Sequence, residues 1–335
     1  MNVSRRLDSP SSHRQDVAVL VLSLLALFTA ASCQKETPMP SPSLSPEWLP
    51  VPLPPQPAGT APLRFYDLAG SAPNDLWAVA TSLRLHFDGT AWRQDTNPDW
   101  VRAARAISSV SRSDVWAVGV YGSIAHFDGT RWHSEKLPGV DFDLIRVMAW
   151  PGAVWVTAAG KEIFRFDGTR WSSDTPAELG GRGIRELWGT SPRDVHVLLP
   201  SGAGDLPQIG HFDGTRFAVS AVGRPGLLHK VHGSGSHDVW AVGSTKKLFG
   251  QGGQIQHFDG TRWTETPIPI DKPVHAVYAT SPTEAYACGE DGLILRWDGR
   301  SWLSSSSGTT QRLTVLFAPA GIQPLVAGTT LLQRK

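Results

Sequence analysis

Cysteine is almost missing. The chain of 335 residues holds only Cys33 and Cys288, too few for a disulfide framework to organise the fold. Charge of one sign is missing too. The formal net charge is +1, which gives no argument for nucleic acid or for any strongly charged partner. There is no glycine-rich nucleotide loop, no Ser–His–Asp order and no Cys–His cluster at metal spacing. No cofactor, no metal and no assignable catalytic residue is therefore expected. No stretch reads as a helix of three turns, and the apolar run 17–31 is too short to cross a bilayer comfortably.

What the chain does have is a repeat. Phe-Asp-Gly-Thr-Arg-Trp stands at 127–132, 166–171 and 258–263, with looser copies at 87–92, 212–217 and 297–302. The period is about 40 residues, the mark of a repeat architecture. Asp-Gly between aromatic-ended apolar runs predicts a tight primed turn, because glycine supplies positive φ freely, and the Asp carboxylate can accept backbone N–H bonds within it. A second module lies upstream. Its copies are Asp75-Leu-Trp-Ala-Val-Ala80, Asp114-Val-Trp-Ala-Val118 and Asp238-Val-Trp-Ala-Val-Gly243, with variants at 191–196 and 281–286. Each is a short β run buried on both faces. With a further run before it, each repeat becomes four strands, A to D, joined by turns.

Four-stranded antiparallel units of this length are blades of a β-propeller. Six copies are complete. A seventh begins at Leu313 and ends without strand D. The missing strand is expected at the other end, where Trp48 is followed by Leu53-Pro54 as Trp132 is by Leu137-Pro138. Pro50, Pro52 and Pro54 do not forbid a strand there. Alternate residues turn their backbone groups to the same side, so the prolines would face an unpaired outer edge. The expectation is an all-β, seven-bladed propeller closed by an N-terminal strand, the alternative being six blades.

The pairing of Asp-Val-Trp-Ala-Val-Gly with His-Phe-Asp-Gly-Thr-Arg-Trp resembles the repeat propeller lipoproteins of myxobacteria. The turn is distantly similar to the Asp-box of sialidase-like propellers. Ala30-Ala31-Ser32-Cys33 resembles a bacterial lipobox, with Ala30 where Leu is usual. That resemblance implies a signal peptide over 1–33, lipidation of Cys33 and, with Gln34 following, a lean toward the outer membrane of the cell envelope. Residues 34–46 read as a Pro/Ser-rich tether and 47–335 as the propeller, expected to be a monomer.

Two function classes stand open. One is a membrane-anchored binding or scaffold protein with an envelope protein or glycan as partner. The other is a glycan-acting enzyme, by analogy with sialidase-like propellers. The repeated His86, His126, His211 and His257, replaced by Arg165 and Arg296 elsewhere, lie on the third strand out from the axis. They are too far apart to share an ion, and read as structural between blades. Cys288 reads as a small buried hydrophobe.

Function is better sought where the repeats differ. The long D–A connections 93–102 and 172–183 and the enlarged B–C loops 199–208 and 244–254 share one face. Aligning the innermost strands places Tyr66, Arg105, Arg146, Arg185, His229, His275 and Thr314 in one column at the channel mouth on that face. The next position holds Asp67, Glu186 and Lys230. Tyr66, Arg105, Arg146, Arg185, Glu186, His229 and His275 are the candidate ligand-binding residues. Their basic character suits an acidic ligand, held partly by histidine charge that fades above neutral pH.

Overall fold

A computed structural model describes residues 47–335, apart from Pro57, Ser82, Arg102, Ala203, Leu248 and Phe249. The expected signal peptide, Cys33 and the tether lie outside the described residues. Seven four-stranded antiparallel sheets follow one another. Six are continuous in sequence, over 65–94, 106–136, 144–174, 186–221, 226–265 and 274–305. The seventh takes strands A to C from 315–334 and strand D from Trp48–Pro50. The only helical elements among the described residues are three single turns of 3₁₀ helix. The chain is an all-β, seven-bladed β-propeller.

The closing strand is shorter than expected, but it pairs as the proline spacing requires. Trp48 faces Arg334, Leu49 faces Gln333 and Pro50 faces Leu332. Beyond Pro50, the N–H of Val51 still reaches the carbonyl of Leu331 at 2.9 Å. Trp48 is 1% exposed, and its Nε1 donates to Ser305 Oγ of blade six at 3.0 Å.

The repeat motif explains how the blades stack. The strand-B tryptophan of one blade meets the Phe and Trp that flank the Asp-Gly turn of the next. Trp77 lies 5.3 Å from both Phe127 and Trp132. Trp116 meets Phe166 and Trp171, and Trp240 meets Trp297 and Trp302. Such aromatic contacts add to plain area burial. The other face of each tryptophan is covered from within its own blade. His86, His126 and His257 stack on Trp77, Trp116 and Trp240 at 4.0–4.2 Å. Arg165 lies over Trp155 at 4.2 Å. The Asp that opens strand B pins each histidine, at 2.8 Å for His86–Asp75 and 2.7 Å for His257–Asp238. These histidines are structural, as expected, though within blades more than between them.

The Asp-Gly turns differ from the expected primed form. Phe87 faces Trp92, so four residues make the loop, and of these only glycine has positive φ. Asp88 Oδ1 accepts the N–H groups of Thr90 and Ala91 at 2.9 and 3.0 Å, and Asp128, Asp167, Asp213, Asp259 and Asp298 do the same in their blades. Gly89 is needed twice over: its φ is +93°, and a Cβ would stand 2.6 Å from Asn74 Cβ in the A–B turn. In blade five the expected enlarged B–C loop is instead a β-ribbon, with Asp238–Lys246 paired to Gln251–Phe258 out to Lys246 facing Gln251.

Blade four breaks the pattern. His196 takes the tryptophan position, stacked on His211 at 4.2 Å with the rings 3° from parallel. It is fully buried, and neither ring nitrogen has a hydrogen-bond partner among the described residues. Burial, and then the neighbouring His211, push its pKa down to about 3. An orphaned buried polar group costs about 1–3 kcal/mol. His196→Trp restores the repeat residue and is expected to raise the melting temperature by a few degrees; a lower melting point on calorimetry would show that the His-sized space cannot open.

Candidate functional site

Strand A is innermost in every blade, so equivalent residues of the seven strands ring the axis. The register puts Tyr66, Arg105, Ile145, Arg185, His229, His275 and Thr314 at the mouth. Arg146 is not among them, contrary to the sequence alignment. Blades one, two, four, five and six carry a β-bulge beside the A–B turn, between Gly70 and Ala72 in blade one, for example. Blade three has none there, since Met148, Ala149 and Trp150 pair without a shift. One residue fewer separates its strand A from Trp155, which brings Ile145 to the mouth and Arg146 one step inward. A fixed count back from the strand-B tryptophan does not find Ile145, because the spacing is eleven residues from Tyr66 to Trp77 but ten from Ile145 to Trp155, and the bulge that blade three lacks makes the difference.

Arg146 thereby joins Asp67, Glu186 and Lys230 inside the channel, around a cavity of about 180 Å3. Glu186 is held between cations from the two neighbouring blades. Its Oε2 accepts from Arg146 Nε at 2.7 Å and from Lys230 Nζ at 3.1 Å. Burial opposes the charge of Glu186, but the two cations prevail and hold its pKa below the ordinary value. Asp67 has no ion-pair partner among the described residues. It accepts the N–H of Leu68 and of Ile107, each at 3.1 Å, yet burial pushes its pKa up. Further in, His232 stacks on Tyr278 at 3.8 Å. Burial pushes His232 down to about 3, so the ring is neutral and its Nδ1 accepts the N–H of Ala279.

At the mouth, partners come from loops that the strand alignment did not reach. Arg105 pairs with Asp143 at 3.3 Å and lies over the Tyr66 ring at 5.6 Å. His275 Nε2 and Arg312 Nε share Glu290, at 2.9 and 2.7 Å. His229 meets Ser244 Oγ at 3.1 Å and the His275 ring at 5.1 Å. Burial, then the charges of His275, Arg185 and Arg312, push His229 down to about 4. It is neutral at physiological pH, which corrects the expected loss of His229 charge above neutrality. The Arg185 side chain is exposed and makes no hydrogen bond or ion pair among the described residues, although its backbone N–H donates to Leu198 O at 2.9 Å. Five cations, Arg105, Arg146, Arg185, Lys230 and Arg312, thus stand among four carboxylates, Asp67, Asp143, Glu186 and Glu290, of which the last three form the ion pairs, leaving an excess of basic groups at the mouth and channel among the described residues.

Asp194, His196 and His211 offer ligand atoms within 4.8 Å of one another, a grouping that strand spacing alone did not suggest. Their geometry does not suit an ion. A metal about 2 Å from an imidazole nitrogen lies near that ring's plane, and two parallel rings stacked at 4.2 Å share no such point. Cys288 is fully buried, and burial pushes its thiol up, so it packs as a small apolar residue and not as a nucleophile.

No family model matches the chain, and no curated protein matches it in sequence. Among solved structures it is similar to YCF48 from Cyanidioschyzon merolae, 16% identical over 86% of this chain and 98% of that one, with a TM-score of 0.65. It is similar to a YCF48 bound to D1 peptide, at 17% identity over 87% and 97% and a TM-score of 0.66. It also resembles the extracellular domain of the BT4673 system from B. thetaiotaomicron, at 12% identity and a TM-score of 0.62, over 86% of this chain but 40% of that one. At such identities the likeness is one of fold.

Proposed function

We propose that the protein is a lipid-anchored binding or scaffold protein of the cell envelope that takes an anionic group of its partner at the channel mouth. The observation that carries this reading is Arg185, an exposed guanidinium without a partner among the described residues, set beside His229 in a ring of excess basic groups. A planar fork of donors suits a carboxylate or phosphate. Neighbours of the same fold include one bound to a peptide and one that is an extracellular domain, which agrees with a partner-binding role. An enzymatic reading is less well supported. Asp67 and Glu186 have pKa values pushed apart, as acid–base pairs do, but the Oε2 of Glu186 already serves two cations in a confined channel.

Binding of labelled acidic peptides and acidic oligosaccharides tests the mouth. Arg185→Ala is expected to weaken capture about tenfold, the loss of roughly 1.5 kcal/mol of charge-assisted hydrogen bonding. Added salt should weaken it further. Affinity unmoved by both would place the binding surface elsewhere. For the anchor, Cys33→Ser is expected to move the protein out of the membrane fraction, because acyl chains supply the attachment; unchanged fractionation would refute lipidation at Cys33.

A further inference from the structure

The mouth is not uniform around its rim. From blade four to blade seven it carries Arg185, His229, His275 and Arg312. From blade one to blade three it carries Tyr66, the paired Arg105 and the apolar Ile145. Outward from this second arc lie two exposed aromatic rings, Tyr121 at 64% and Phe142 at 37% exposure.

These rings sit on a rigid platform. Tyr121 belongs to the single 3₁₀ turn Val120–Gly122 in the B–C connection of blade two. That connection is stapled to the following D–A segment. Gly122 N–H donates to Phe142 O at 2.9 Å, Leu137 N–H to Gly122 O at 3.0 Å and Leu144 N–H to Gly119 O at 3.0 Å. Phe142 adjoins Asp143, which holds Arg105, which in turn covers Tyr66. A chain of backbone hydrogen bonds and an ion pair therefore links the loop of Tyr121, through Phe142 and Asp143, to Arg105 at the mouth. Phe142 is three residues from Ile145, so at most about 10 Å of extended chain separates them.

Tyr121 also has an unusual backbone, at φ 55° and ψ 39°. Blade six builds the same turn over Glu290–Gly292, and the equivalent residue there is Asp291, at φ 51° and ψ 42°. A short polar side chain tolerates the left-handed conformation; a tyrosine adopts it at a steric cost. The ring is therefore held exposed, in a strained position where the fold itself supplies a more comfortable residue.

Resting on the reading of the mouth as an anion site, we propose that the partner is an extended peptide with two-part chemistry. Its acidic side chain meets Arg185, and an aromatic or large aliphatic side chain further along the peptide lies on Tyr121 and Phe142. The hydrocarbon surface of Phe142 and Ile145 favours a peptide side chain over the hydroxyls of a sugar. The cationic arc opposite favours an acidic segment over a purely apolar one.

The test uses the full-length protein in detergent and three fluorescent probes. One peptide has two glutamates, two glycines and a tryptophan; the second has serine in place of the tryptophan; the third probe is an oligogalacturonate. The tryptophan peptide is expected to bind about tenfold more tightly than the serine peptide. Tyr121→Asn, a substitution that suits the left-handed turn, should leave the melting temperature equal or higher while erasing most of that difference. Phe142→Ser should do the same to binding. Arg185→Ala should weaken both peptides by the same factor. Equal binding of the two peptides to the unaltered protein, or a preference that survives Tyr121→Asn, overturns Tyr121 and Phe142 as a docking surface while leaving the anion site standing. If only the oligogalacturonate binds and Tyr121→Asn weakens it, the partner is a glycan and the peptide proposal falls. If neither peptide nor the sugar binds, the mouth itself fails as an anion site and the docking surface with it.

Discussion

Trp48→Ala is expected to lower the melting temperature by roughly 6–20 °C, from a cost of about 3–5 kcal/mol for truncating a fully buried tryptophan and about 2–4 °C per kcal/mol for a chain of this size. The side chain is buried between the sixth and seventh blades, edge-on to Tyr286 at 6.4 Å and packed with Cys288, Ile294 and Leu332. Removing residues 47–54 altogether should cost more. The deletion takes away the pairing of Trp48–Pro50 with Leu332–Arg334 and the bond from Val51 to Leu331. It also uncovers the last strand as an open edge, ready to pair with another chain. Blade one is exposed on its seam as well, because Val51 and Leu53 pack against the cluster that contains Phe65, Trp92 and Leu325. Calorimetry of the truncated protein, with light scattering for association, reads both effects. A truncated chain that melts as a monomer at the original temperature would mean that the ring does not depend on its clasp.

The second large effect is expected at Glu186. Replacing it with alanine leaves Arg146 and Lys230 inside the channel without their shared carboxylate, and breaking a buried pair by removing one partner costs about 3–5 kcal/mol. The lower end applies here, because the two cations keep 30% and 27% of their side chains exposed to the lumen. The pH dependence has a definite sign. Glu186 has its pKa lowered from the ordinary 4.5, so its contribution is present above that value and fades as pH falls through the folded pKa. The turn residues act in the same direction, with Asp167 and Asp213 held down at about 2 by side-chain and backbone hydrogen bonds. Asp67 acts in the opposite sense, because burial raises its pKa and its ionisation costs stability as pH rises through that value. Melting temperature followed from pH 7 to pH 2 should therefore drop most steeply below pH 4.5. Glu186→Ala should start lower and fall less over that range. Parallel curves for the two proteins would show that Glu186 stays unpaired in solution.

Several features of this architecture were legible in the chain because they are local. Phe-Asp-Gly-Thr-x-Trp carries its own turn chemistry, and copies at a period of about 40 residues count the blades. The alternation of Pro50, Pro52 and Pro54 marks an edge strand before any partner is known, since only every second N–H is missing. The incomplete seventh repeat then finds its missing strand in the chain before Pro54. Asp67, Glu186 and Lys230 could be placed in one column by counting from strand-B residues at a constant spacing.

Other features depended on contacts between segments far apart in sequence. Arg146 was misplaced because the bulge that blade three lacks is a property of hairpin pairing and not of composition. Asp143 and Glu290 neutralise mouth cations from connections whose path the repeat does not specify. His229 is pushed toward its neutral form by burial and by the neighbouring His275, Arg185 and Arg312, which meet only around the axis. The His196 ring is orphaned by what blade five packs against it. The repeat period, the position of the turns and the clasp were determined by the sequence itself, because each follows from the φ/ψ and hydrogen-bonding limits of a few adjacent residues. The tertiary structure alone decided which charges are paired, which titrate and which rings stay exposed, because burial and Coulomb energy depend on distances that only the closed ring sets.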